Sequence, residues 1–205
     1  MTRIAPVLLT TLLLTACGGQ EEAQTADTPQ QPQAAAPTGG DVAQPQGQQG
    51  QPASPRDTAE MRYADERIYV DYGRPYMRGR TIMGGLVPYG QVWRTGANEA
   101  THFVTPRDLR IGGTTVPAGT YTLYTLPGAS EWQLIINRQT GQWGTEYDQA
   151  QDLARIPMRV ERTPTPVEQF TIELRPGGGN VLNLAMMWEN TRAWVPMEIV
   201  HPGAR

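Results

Sequence analysis

Lysine is absent: all 17 basic residues of the 205-residue chain are arginine. That removes Schiff-base chemistry, a general-base lysine and the lysine of a phosphate-binding loop. Cysteine occurs once, at Cys17, so the rest of the chain has no disulfide, no thiol catalyst and no cysteine-based zinc site. Histidine occurs only at His102 and His201, too few for a histidine-rich metal centre. The two serines, Ser54 and Ser130, fall in a linker-like stretch and in a turn, where the nucleophile of a Ser-His-Asp hydrolase is not expected. A net charge of only -3 with no run of basic residues indicates neither a nucleic-acid groove nor a polybasic membrane patch.

What is present begins with Arg3 and a short apolar stretch, Ile4 to Leu9 and Leu12 to Leu14, too brief to span a bilayer in a mature protein. It ends in Leu14-Thr15-Ala16-Cys17-Gly18, which resembles the bacterial lipobox, so residues 1–16 read as a lipoprotein signal peptide and Cys17 as the acylated residue. The expected location is the cell envelope, with the chain held to a membrane by an N-terminal lipid. In a Gram-negative host, Gly18 rather than Asp matches the outer-membrane pattern. Residues 17–57 are Gln, Pro, Ala, Gly and Thr with scattered acids, and Val42 is their one large apolar side chain. Such a stretch cannot offset its ordering entropy, and as a coil of about 40 residues it averages roughly 35 Å end to end.

Residues 58–205 read as a single β domain of about 145 to 150 residues, long enough to bury a core unaided. Apolar positions alternate with period two: Phe170, Ile172 and Leu174; Ile156, Met158 and Val160; Trp132, Leu134 and Ile136. Gly112-Gly113, Pro117-Ala118-Gly119 and Gly177-Gly178-Gly179-Asn180 supply turns. Pro157 suits an edge strand, since proline cannot donate to a ladder. No helical period is evident. The predicted fold class is all-β, an antiparallel β-sandwich or open barrel of about 7–9 strands.

Two stretches break the strand pattern. The first, residues 74–102, is rich in glycine yet keeps Leu86, Val87, Tyr89 and Trp93, which favour burial, and it carries Arg80, Arg94, Asn98 and Glu99. Arginines here can clamp an anion bidentately while Asn98 and Glu99 set its orientation. The structural alternative is that Glu99 pairs with Arg94 or Arg80. The second stretch, residues 138–152, holds Trp143, Tyr147 and Asp148 and has the length of a lid or binding loop, or of an aromatic plug at one end of the domain. Among Glu99, Glu146, Asp148, Asp152 and Glu189 a pair could do acid–base work, and His102 is a second acid–base candidate. A carboxylate-rich Ca²⁺ site in the second loop remains open, but no metal ligand set and no cofactor motif is legible.

At these positions the chain resembles the bacterial family known as domain of unknown function 2911. The resemblance rests on Gly79-Arg80, Leu86 to Gly90, Val92 to Thr101, Pro117 to Tyr121, Glu131-Trp132, Asn137, Trp143-Gly144, Tyr147-Asp148 and Trp188-Glu189. One departure is Gly73, where the pattern leads one to expect serine. The resemblance implies an exported, often lipidated β-domain and implies no activity. The expected function is a non-enzymatic envelope binding module for a small or anionic ligand, or for an envelope partner. The alternatives are a periplasmic hydrolase of glycan or peptide fragments that relies on Glu99 or His102, and a structural spacer.

Overall fold

A computed structural model describes residues 53–200; the leader and most of the linker lie outside the described residues. The chain forms β1 (Arg56–Tyr63), β2 (Glu66–Gly73), β3 (Thr101–Thr105), β4 (Leu109–Ile111), β5 (Thr114–Val116), β6 (Gly119–Pro127), β7 (Trp132–Asn137), β8 (Asp152–Gly178) and β9 (Val181–Ile199). A single 3-10 turn, Gln149–Gln151, precedes β8. The nine strands make one sheet in the order β1-β2-β3-β6-β7-β8-β9-β4-β5, antiparallel throughout and not closed on itself. The protein is therefore all-β, as its alternating apolar pattern requires.

Prolines shape the two longest strands. The segments around Ile156–Val160 and Phe170–Leu174 read as separate strands in the sequence, yet both belong to the 27-residue β8. Its first part pairs with β7 and its later part with β9, and the register slips between Arg162 and Val167 and again before Thr171. Pro164 and Pro166 lie in that slip and offer no N–H to a ladder, so the strand bulges and changes direction there. The segments 181–188 and 194–200 likewise merge into the 19-residue β9. The β8–β9 ladder stops at Arg159–Trp194, next to Pro157 and Pro196, which cannot continue it. Beyond that point β9 pairs with β4.

The bent sheet encloses one core. Ile68, Val70 and Tyr72 of β2, Phe103 of β3 and Leu134 of β7 face Ile172 of β8 and Leu184, Met186 and Trp188 of β9. Full burial of each such side chain contributes about 1.5–3 kcal/mol. The Tyr72 hydroxyl crosses the core and accepts the Ile172 N–H at 2.8 Å, so this buried polar group is satisfied. Every buried residue of this core cluster lies between Ile68 and Ile199.

Strands β6 and β7 are buried on both faces: positions 121–125 and 134–137 are all inaccessible. The reason is that the two irregular loops fold over them. Loop 74–100 buries Ile82 and Val87 at one end of the core, then stacks Trp93 on Trp188 at 5.8 Å and sets it edge-on to Phe170 at 5.0 Å. The backbone of Trp93 bridges Thr125 of β6. Loop 138–148 covers Tyr124, whose hydroxyl donates to the Glu146 carbonyl at 2.9 Å.

Candidate functional site

Three of the four leading sequence candidates meet in one place. Arg80, Arg94 and Asn98 line a cavity of about 410 Å³, walled by Trp93, Tyr124 and Tyr147 and bordered by Leu86 and Ser54. A short backbone ladder holds its two loops together: Gly144 N–H donates to Asn98 O at 2.9 Å, Ala100 N–H donates to Gln142 O at 3.2 Å, and Glu99 bridges Trp143. Gly144 has to be small, because a Cβ there lies 2.7 Å from Asn98 O and 2.9 Å from Arg94 Cδ. The Arg94 stem rests directly on that glycine.

The loop is held in conformations that side chains rarely adopt. Thr95 has φ 53° and Asn98 φ 64°, both in the left-handed region. Asparagine tolerates it, whereas for β-branched Thr95 it is strained, at a cost of about 1–3 kcal/mol. Thr95 is fully buried and tied down: its hydroxyl meets Thr125 Oγ1 at 3.1 Å, and Thr101 Oγ1 donates to its carbonyl at 2.8 Å. Farther along, the Glu189 carboxylate accepts the Met83 N–H at 3.0 Å and the Ile82 N–H at 3.4 Å. Backbone strain of this kind, over-determined by its surroundings, fixes where Arg94 and Asn98 stand.

The electrostatics of this cavity are one-sided. No Asp or Glu lines it. Arg80 donates to the carbonyls of Met77 at 2.9 Å and Tyr76 at 2.7 Å, and Arg94 donates to Gly96 O at 3.3 Å. Neither guanidinium meets a carboxylate among the described residues. The charged side chains of the lining are both arginine.

Glu99 does not join them. It turns to a second cavity, of about 490 Å³, lined by Arg56, Asp71, His102 and Thr140 among others. There Arg56 pairs with Glu99 at 3.2 Å and also with Asp71, to whose Oδ1 its Nε donates at 2.7 Å. The pairing of Glu99 with Arg94 or Arg80 expected as the structural alternative is thus replaced by one with Arg56. No pattern pointed to Arg56, which sits in the segment read as linker. His102 stands opposite Asp71 in the β2–β3 register, and its Nε2 accepts the Gly141 N–H at 3.3 Å.

In the second loop, Trp143 is exposed, Tyr147 lines the first cavity, and Asp148 caps the 3-10 turn by accepting the Ala150 N–H at 2.9 Å. The Tyr147 hydroxyl donates to Asp152 at 2.6 Å and accepts from Arg155 at 2.6 Å; burial and the bond to Asp152 push its pKa up to about 12. Asp152 also accepts from Asn137 at 2.9 Å. These carboxylates are already taken up by protein donors, and no group of three or more His, Cys, Asp or Glu among the described residues is placed to hold a metal ion. Arg74 is structural: it pairs with Asp57 at 2.7 Å and donates to Phe170 O at 3.2 Å, joining β1 to β8. Tyr124 escaped the sequence reading because it sits on an ordinary strand, and Gly144 entered it only through the family resemblance, with no sign that its role is to be small.

No curated protein and no solved structure matches the chain. A family profile described as "Protein of unknown function (DUF2911)" matches residues 54–197. That span contains both loops, both cavities and nearly the whole sheet, and the chain belongs to this family.

Proposed function

We propose that this domain is a non-enzymatic binding module whose ligand is a small anion with an apolar or aromatic body, held in the Arg80/Arg94 cavity. The observation that carries this reading is a cavity lined by two arginines and by no acidic residue. The Arg80 and Arg94 guanidiniums donate to backbone carbonyls and meet no carboxylate among the described residues. A carboxylate or phosphate group offers them charge-assisted bonds, about twice as strong as those to a neutral carbonyl. Trp93, Tyr124, Tyr147 and Leu86 provide surface for the ligand's apolar part. We further place the domain at the cell envelope on the strength of the lipobox at Cys17.

The hydrolase alternative has one observation in its favour, the shared cavity of Glu99, His102 and Asp71. Against it, Arg56 neutralises both carboxylates. The test uses residues 18–205 and three probes: phenyl phosphate, inorganic phosphate and phenol, followed by calorimetry. Phenyl phosphate is expected to bind best, phenol not at all, and Arg94→Gln to weaken binding by at least about tenfold, as expected for one charged hydrogen bond of about 1.5–3 kcal/mol. Equal affinity for phenol and phenyl phosphate, or no effect of Arg94→Gln, would falsify the anion site.

A further inference from the structure

We infer that the rim of the Arg80/Arg94 cavity docks on an anionic lipid bilayer. This rests on reading the cavity as cation-lined, though not on the identity of any soluble ligand. Leu86, Tyr89 and Trp143 are the large apolar side chains left exposed among the described residues, at 48%, 44% and 48%. All three stand on the two loops that line this cavity: Leu86 borders it directly, Tyr89 lies on the same loop, and Trp143 adjoins the lining residue Gly144.

Positive charge lies on the same loop. Arg78 is exposed there beside Arg80 and Arg94, and its backbone N–H donates to the Glu168 carboxylate at 2.9 Å. The three guanidiniums form no ion pair among the described residues, as is also true of Arg62, Arg138, Arg159 and Arg162, whereas Arg56, Arg67, Arg74, Arg107, Arg155 and Arg175 are ion-paired. The sequence shows no basic run because these cations are separated along the chain; the loop's fold assembles them. A leucine, a tyrosine and a tryptophan beside arginines form the set that partitions to the lipid–water interface. The apolar bodies enter the acyl boundary, the amphipathic rings sit at headgroup depth, and the cations meet anionic phosphates. Ser54, near the first of the described residues, borders the same cavity.

The experiment uses residues 18–205, which hold the whole core and lack Cys17, so that no acyl chain contributes. Probes are vesicles of phosphatidylcholine alone and of phosphatidylcholine with about a third phosphatidylglycerol, read by co-sedimentation and tryptophan emission. The expected result is binding to the mixed vesicles that falls with added salt, and little binding to phosphatidylcholine alone. The double variant Leu86→Ser/Tyr89→Ser should lose it with its far-UV circular dichroism intact. Arg78→Gln, which does not line the cavity, should weaken vesicle binding about fivefold at low ionic strength and leave phenyl phosphate affinity unchanged. No sedimentation with mixed vesicles, or binding indifferent to Leu86→Ser/Tyr89→Ser, overturns the inference. Phenyl phosphate binding without vesicle binding overturns docking alone, and vesicle binding without phenyl phosphate binding overturns the soluble-ligand reading alone.

Discussion

Asn98 and Glu99 are neighbours in sequence and serve opposite sides of one loop. Asn98, in the left-handed region, presents its amide to the Arg80/Arg94 cavity, and Glu99 reaches back to Arg56. The Glu99 side chain is 60% exposed, so its ion pair is screened by water and contributes at most about 1 kcal/mol. Glu99→Gln is therefore expected to change the unfolding free energy in urea by no more than about 1 kcal/mol. A loss of about 3–5 kcal/mol is the signature of a buried pair broken on one side and would contradict this geometry. The Arg56 guanidinium keeps its bonds to Asp71 in either case, while its buried Nη1, which makes no hydrogen bond among the described residues, loses only the Glu99 charge beside it.

At the scale of elements, β2 and the loop it precedes depend on a close approach that sequence alone does not show. A Cβ on Gly73 would lie 2.2 Å from Ala97 O, inside any permitted contact. Serine, the residue expected here from the family resemblance, would force the 94–98 segment away from β2. Gly73→Ser should accordingly destabilise the domain by about 1–3 kcal/mol, the usual cost of overpacking, seen as a lower thermal midpoint. An unchanged midpoint would show that the loop yields without penalty. What was legible follows the same logic. The strands at 132–136, 156–160 and 170–174 were readable because Leu134, Ile156, Ile172 and their apolar partners recur at every second residue. Strand β1 was not, because it is an edge strand whose residues are half-buried or exposed and carry no apolar alternation. The continuity of β8 was hidden because Pro164 and Pro166 interrupt the alternation where the register slips. Arg80, Arg94 and Asn98 could be picked from one glycine-rich loop. Their meeting with Tyr124 and Tyr147 could not, since the Asn98–Gly144 and Ala100–Gln142 bonds join distant segments without leaving a periodic trace.

At the scale of the whole domain, the sheet encloses one core and the two irregular loops cover β6 and β7. Interfacial binding by a few exposed side chains is weak on its own. Under the proposed lipid anchor at Cys17, a linker of about 40 residues would make docking a local event at roughly millimolar effective concentration. The domain offers no cysteine for acylation, which leaves Cys17 as the sole thiol of the chain. With buried acyl chain worth about 0.8 kcal/mol per methylene, two or more chains at Cys17 make attachment effectively permanent. In a bacterial host grown with labelled palmitate, the full chain is expected to take up label and Cys17→Ser to take up none. Equal labelling of the two would remove the anchor, and with it the local concentration on which a weak rim contact depends.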